Sequence, residues 1–516
     1  MEIPPSLDGP DAVVESAAGP PCDPSLPPVP EAAIVPAECV SAPSPESACA
    51  PPQGVPADGV PATEPVFHPA EHPDPRDEAC RILLRLESPE ARARELVDET
   101  LNSLAFKPED GALLSELVFG TLRKRALLDY RLSAVSHRPL EVLSPWVRNL
   151  LRLSLYQLLC LDRVPAAAAV DAAAEISKRH GHDGVAKFVN GCLREICRQQ
   201  AENKLPPLPE HPVHRLAVET SHPVWMVQRL CDSYGWERAA AVLKASNLAA
   251  PLTLRVNPLR SRRDEVASRL HQAGLRVEPC RFSPWGLRLK EAMDTRRLPG
   301  FLEGDYHVQD ESAQLLGLLL DPRPGWQVAD VCAAPGGKAT LLAQLVGPQG
   351  RVWAFDRKNG ALDKLQSTLR RQGLHHVHSE TRDALSPRQD LAGSLDAAVV
   401  DAPSTSLGVL RRRPEARWQA RSDAAGGLAD RQVRMLHASS RYLKPGGVLL
   451  YCTSTWEPEE NEGVVDRFLA QSTGFTFERA QFFAPAEVCT REGFLRVWPG
   501  QDGMDGFFAA RLRRAA

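Results

Sequence analysis

A chain of 516 residues, 43% of them hydrophobic, is long enough for about three domains at the usual ~150 residues each. It holds no apolar run near the ~20 residues of a membrane span, no signal-peptide pattern in Met1-Glu2-Ile3-Pro4-Pro5, and twelve cysteines without a CxxC pair, so a membrane protein, a zinc ribbon and a disulfide scaffold are all disfavoured. The expectation is a cytoplasmic monomer with no metal, and its net charge of −4 divides into −12 over residues 1–75 and +8 over 76–516, a basic body that suits a polyanion such as RNA as well as it suits ordinary solvated charge.

Residues 1–75 hold 20 of the 46 prolines and no Lys or Arg. Such a segment cannot bury enough apolar surface to offset its ordering entropy, and it reads as a disordered acidic tail. Residues 76–200 read as all-helical. One helix begins at Ser144-Pro145-Trp146, with Ser as N-cap and Pro in the first turn. Its apolar face is Val147, Leu150, Leu151, Leu155, Leu158 and Leu159. A second helix starts near Val164-Pro165 and runs to Lys178, and a third carries Val185, Phe188, Val189, Cys192 and Ile196. A Pro-rich linker, 205–212, leads into a small α+β module over 213–300. There a strand at 252–256, a helix at 264–273 and strands near Arg276 and Leu287 are predicted.

From 301 to 516 strands and helices alternate, the sign of an α/β, Rossmann-like domain with a parallel sheet. Strands are expected at 326–332, 352–355, 397–400 and 448–452, with a late antiparallel strand over 506–512. Asp330-Val-Cys-Ala-Ala-Pro-Gly-Gly-Lys338 stands at the first strand-to-helix junction. A Gly-Gly turn there lets backbone approach a ligand, and a helix N-terminus offers free N–H groups. Asp356 ends the second strand, where an acid accepts hydrogen bonds from both ribose hydroxyls of a nucleoside cofactor. The turn lacks the third glycine of GxGxxG, which points away from NAD. Asp383 follows the next strand, either to meet an adenine amino group or as a solvated loop acid. Asp401-Ala402-Pro403 ends an apolar strand at the ligand-binding edge. Its carboxylate suits the amino group of a flipped-out cytosine, or caps a turn. Arg411, Arg412, Arg413, Arg417 and Trp418 combine charge with an aromatic, which suits phosphate contact and base stacking, or a solvated surface.

Residues 78–512 resemble the bacterial small-subunit ribosomal RNA methyltransferase B family. The resemblance rests on the run 330–338, on Glu116-Leu-Val-Phe-Gly-Thr-Leu-Arg123, Trp146-Val-Arg-Asn-Leu-Leu-Arg-Leu153 and Phe188-Val-Asn-Gly-Cys-Leu-Arg194, and on Val308-Gln-Asp-Glu-Ser-Ala-Gln314, Leu407-Gly-Val-Leu-Arg-Arg412 and Pro458-Glu-Glu-Asn461. It implies a NusB-like RNA-binding helical domain, a small RNA-binding module and a domain that binds S-adenosylmethionine (SAM) through Cys332, Ala333, Ala334, Pro335, Gly336, Gly337, Lys338, Asp356, Asp383 and Asp401. It also implies methyl transfer to carbon 5 of a cytosine in 16S ribosomal RNA. In the family one cysteine adds to carbon 6 of the base and a second helps release the product. The first lies in a Thr-Cys-Ser run and the second follows Asp-Ala-Pro. Here Thr453-Ser454-Thr455 and Ser404 occupy those places. A serine hydroxyl is a far weaker acid than a thiol and needs a dedicated base. Cys452, two residues before Ser454, shares its face of an extended strand. Three readings stand open: an active RNA methyltransferase with an unconventional nucleophile, a SAM-binding pseudoenzyme in ribosome assembly, and a small-molecule methyltransferase. The NusB-like region and residues 411–418 speak against the last.

Overall fold

A computed structural model describes residues 73–290, 294–358 and 360–516. The predicted acidic tail, apart from its last three residues, lies outside them. Six helices come first: α1 (Pro75–Arg85), α2 (Ala93–Ser103), α3 (Pro108–Ser133), α4 (Pro145–Cys160), α5 (Ala166–His180) and α6 (Asp183–Ala201). The start of α4 is as the sequence predicts, with Pro145 in the first turn and the Ser144 hydroxyl accepting from Val147 N at 3.4 Å. Val147, Leu150, Leu151 and Leu155 are buried, and Leu158 and Leu159 pack at the margin of the same core. The α6 stripe Val185, Val189, Cys192 and Ile196 closes that core from the other side.

Three helices follow: α7 (Pro212–Thr220), α8 (Val224–Tyr234) and α9 (Trp236–Ala245). They share a core with Leu407, Leu410, Ala416 and Trp456. They therefore cover loops of the C-terminal domain as well as preceding the small sheet. That sheet is built from β1 (Leu252–Val256), β2 (Val277–Pro279), β3 (Gly286–Leu289) and β4 (Tyr306–Val308), in the order β2-β3-β1-β4, with α10 (Arg263–Gln272) packed on it. Its fourth strand lies beyond residue 300, because the chain returns to pair Leu254 with Val308 before entering the next domain.

The C-terminal domain runs through α11 (Glu311–Leu320), β5 (Gln327–Asp330), α12 (Gly337–Val346), β6 (Arg351–Asp356), α13 (Ala361–Gln372), β7 (Val377–Thr381) and β8 (Leu395–Asp401). It continues with the short α14 (Ala416–Gln419), then α15 (Ala424–Ser440), β9 (Leu443–Thr453), α16 (Glu462–Gln471), β10 (Phe475–Glu478), β11 (Leu495–Val497) and β12 (Phe507–Arg514). Strand order is β10-β12-β9-β8-β5-β6-β7 with β11 beside β12. β5 to β9 run parallel, and β12 enters antiparallel to β9. Apolar cores lie on both faces, as parallel strands require. The carboxyl ends of β5, β6, β8 and β9 thus open on one edge, on either side of the point where strand order reverses. Ligands of open α/β sheets bind at such a point.

Candidate active site

The first strand of this edge is shorter than the sequence predicts. It ends at Asp330, and 331–336 form the turn into α12. Gly336 sits at φ 116°, and a Cβ there would approach Leu365 to 2.7 Å, so this position admits glycine alone. A Cβ on Gly337 would make ordinary contact with Gln309 and His307, at 3.4 and 3.7 Å. The turn is pinned by Ala333 N to Phe355 O at 2.8 Å and by Ala334 N to Asp356 Oδ2 at 3.1 Å. Asp356 Oδ1 accepts from Lys358 N at 3.0 Å. Asp383, just past β7, accepts from Leu385 N at 2.9 Å and lies 3.4 Å from Arg431.

Lys338 reaches from the first turn of α12 to Asp401, Nζ to Oδ2 at 2.6 Å. Burial is the largest single influence and works against the lysine charge, but the surrounding acidic groups, Asp401 first among them, together outweigh it and raise its pKa. Asp330 is fully buried, and neither of its carboxylate oxygens meets a donor in good hydrogen-bonding geometry, the backbone N–H of Cys332 being the group that partly offsets its burial. Burial first, then the charge of Asp401, pushes its pKa up to about 7. Asp330 opens the motif, yet sequence reasoning did not single it out, since nothing local says that a strand-end aspartate is left without a well-placed donor.

Two loops carry the positions matched to the family's cysteines, and they face each other. Ser454 O accepts from Gly408 N at 2.8 Å. Thr405 Oγ1 and Thr455 Oγ1 are 2.7 Å apart, and Thr405 Oγ1 donates to Glu460 at 2.5 Å. Gln432 bridges Glu460 and Pro403 O at 2.9 and 3.0 Å. Asn461 accepts from Thr453 Oγ1 at 2.6 Å and donates to Thr455 O at 3.0 Å. The Pro458–Asn461 run therefore works as a clasp between the loops. Ser404 Oγ accepts from Ser406 N at 3.3 Å. Among the described residues, neither Ser404 Oγ nor Ser454 Oγ bonds to a histidine or a carboxylate.

Cys452 pairs with Asp401 across β8 and β9, and its Sγ lies 3.5 Å from Asp401 Oδ1. It is fully buried among Val399, Leu450 and Phe507, and burial together with Asp401 raises its thiol well above the usual range. β9 ends at Thr453, so the extended run that would set Cys452 and Ser454 on one face stops short of Ser454; the contact with Asp401 brings Cys452 to the edge of the cleft as a packed neutral thiol.

The arginine segment departs from expectation. Arg411 and Arg412 are clamped by Asp505 and Asp310, the latter 2.8 Å from Arg412 and capping α11. Arg413 lies 3.8 Å from Glu415. Arg417 is fully buried and donates to Ser221 O, Asn247 Oδ1 and Ser246 O at 3.0, 2.8 and 3.1 Å. Trp418 donates to Leu122 O at 2.9 Å and stacks under Arg125 at 5.0 Å. Arg411, Arg417 and Trp418 thus bind the protein to itself rather than standing ready for phosphates or bases, while Arg412 and Arg413 keep about a third of their side chains exposed. Composition could not separate the two cases, because the partners lie far off in sequence.

Comparison with known proteins places the three parts. Residues 317–513 match the 16S rRNA methyltransferase RsmB/F model, 73–198 match the NusB family, and 222–296 match the ferredoxin-like domain of RsmF/B-type methyltransferases. A probable ribosomal RNA small subunit methyltransferase B of Bacillus subtilis is 35% identical over 446 residues, covering 85% of this chain and 98% of that protein. The chain belongs to the ribosomal RNA small subunit methyltransferase B family. A relative in Synechocystis is 35% identical over 81% of this chain and 94% of its own length. One crystal structure aligns over 87% of this chain and all of its own, with TM-score 0.73 at 26% identity. A methyltransferase homologue from Pyrococcus horikoshii covers 59% of this chain and all of its own, with TM-score 0.51 at 27% identity.

This is a family of SAM-dependent methyltransferases, and the cleft fits the cofactor. The buried carboxylate of Asp330 suits a cationic group, and the N–H groups at the start of α12 suit an anionic one. Among the described residues no helix is long and apolar enough to cross a membrane.

Proposed function

We propose that this protein acts on small-subunit ribosomal RNA as a SAM-dependent methyltransferase directed at carbon 5 of a cytosine, with its chemical step impaired at the nucleophile. The observation that carries the reading is the pairing of a complete Asp330–Lys338–Asp401 cleft with two facing loops that hold hydroxyls where the family holds thiols. In this reading 332–338 and Asp330 hold the amino-acid end of SAM, Asp356 the ribose and Asp383 the adenine. When bound, SAM supplies the methyl group. Asp401, held in place by Lys338, accepts from the 4-amino group of a flipped cytosine. Ser454 would have to lose its proton to attack carbon 6, and among the described residues its hydroxyl bonds to no histidine or carboxylate that could take it; this is the impaired step. Ser404, at the release position, likewise bonds to no such group among them. The basic body, +8 over residues 76–516, supports an RNA partner.

The absent base also favours a second reading, a SAM-binding pseudoenzyme that works as an RNA-binding assembly factor. Mass spectrometry of 16S RNA from cells with and without the gene separates the two. A single gene-dependent methylcytosine supports the enzyme. Unchanged methylation with altered subunit assembly supports the pseudoenzyme.

A further inference from the structure

Arg255 is a buried charge without a counter-charge. It rises from β1 of the small sheet, is fully buried, and ends beneath the first turn of α12. Its guanidinium donates to Gly337 O at 2.6 Å, Thr340 Oγ1 at 2.9 Å, Gln344 Oε1 at 3.1 Å and Gln309 Oε1. Every acceptor is neutral. Arg411, buried nearby, is met by carboxylates, whereas the equally buried Arg417 is spent on carbonyls that tie the loop after β8 to the helices and stands at no ligand-binding turn. A charge taken out of water is costly unless an opposite charge meets it. The nearby His307 does not help, since burial and then Arg255 itself push its pKa down to about 3 and keep the ring neutral. Arg255 also points at a special place. The Gly337 carbonyl it holds belongs to the first residue of α12, where the turn that follows β5 passes into the N-terminus of a ten-residue helix. At the other end of the same turn stands Asp330, a buried carboxylate that meets no donor in good geometry. One uncompensated cation and one poorly satisfied anion at the two ends of a single turn match the two charges of an α-amino acid.

We propose that Arg255 is the buried counter-charge for the carboxylate of the cofactor's amino-acid end. It is a positioning residue that acts through the α12 turn, by fixing the Gly337 peptide and adding positive potential to the helix N-terminus. The inference rests on SAM binding in this cleft and not on methyl transfer. It gives the small module a part in cofactor recognition besides any contact with RNA.

Titration calorimetry on the full chain tests it, with SAM and decarboxylated SAM, which lacks only the carboxylate. Wild type should bind SAM the more tightly of the two. Arg255→Gln should weaken SAM roughly tenfold, the scale of a charge pair a few ångströms apart at a partly screened site. It should leave decarboxylated SAM within about twofold, and Arg255→Lys should keep most of the preference. Equal losses for both ligands would show a merely structural arginine and overturn the proposal. Should the variants not fold, wild type alone decides. A buried counter-charge is little screened, so the SAM preference should hold as salt rises, whereas a preference that collapses with salt overturns it. If wild type binds neither ligand, the SAM reading itself falls. Equal affinity of wild type for both refutes only Arg255.

Discussion

Replacing sulfur by oxygen at two positions changes the chemistry more than the shape. Thr453 and Asn461, Thr405 and Glu460 still lace the two loops, so Ser404 and Ser454 stand in an otherwise complete frame. Wild-type protein should form no covalent adduct with RNA containing 5-fluorocytosine, an analogue whose fluorine blocks the elimination that frees the enzyme. Ser454→Cys should form the adduct, and adding Ser404→Cys should restore turnover, both read on a denaturing gel with labelled RNA. If wild type forms an adduct that Cys452→Ala abolishes, the buried thiol beside Asp401 is the working nucleophile. Asp330 supports a second prediction. Its folded pKa of about 7 lies above the ordinary value of 3.8, so the protonated form is favoured by folding. The stability this provides is complete below about pH 4 and is lost as pH rises through 7. Asp330→Asn should therefore match wild type in acid and be more stable at pH 8 by on the order of 2–4 kcal/mol without SAM. Urea melts across pH measure this, and a constant difference from pH 4 to pH 8 would refute it. The presence of Asp330 was legible in the sequence. Its isolation was not, because the groups that could have bonded it lie on other strands.

At the scale of elements, periodicity served well where one face is buried. The stripes of α4 and α6, the cap at Ser144 and the alternation of strands and helices were all readable, since each follows from local spacing. The arginine-rich segment after β8 was not. Arg411 meets Asp505 across 94 residues and Arg417 meets Ser246 across 171, and no local pattern announces such distances. Removing one partner of a buried pair leaves the other uncompensated, so Arg411→Ala should destabilise the fold by roughly 3–5 kcal/mol. It should leave the salt dependence of RNA binding unchanged. Thermal melts and filter binding on the same variant check both halves. A shallower salt slope without loss of stability would return Arg411 to the RNA surface.

For the whole molecule, charge is the quantity that matters. The body of +8 should give RNA binding a log–log salt slope of several units with a structured fragment of 16S RNA, measured by filter binding. A flat slope would refute an electrostatic RNA surface. Deleting residues 1–75 removes twelve acidic residues and no basic ones, so affinity should rise, most at low salt.

The buried reach of Arg417 and Trp418 bears on how this chain can be divided. Both leave the short α14 that follows Asp401, one to hold backbone carbonyls at Ser221 and Ser246, the other to seat against Leu122 of the helical bundle. Arg255 makes the reverse journey, from the small sheet into the cofactor turn. A catalytic fragment cut at residue 301 would leave a guanidinium and an indole stranded on its surface and a hollow under its glycines. A borrowed module from a relative would have to bring matching sockets with it. The three parts are separable as patterns in the sequence, but they share side chains too deeply to be exchanged piecemeal.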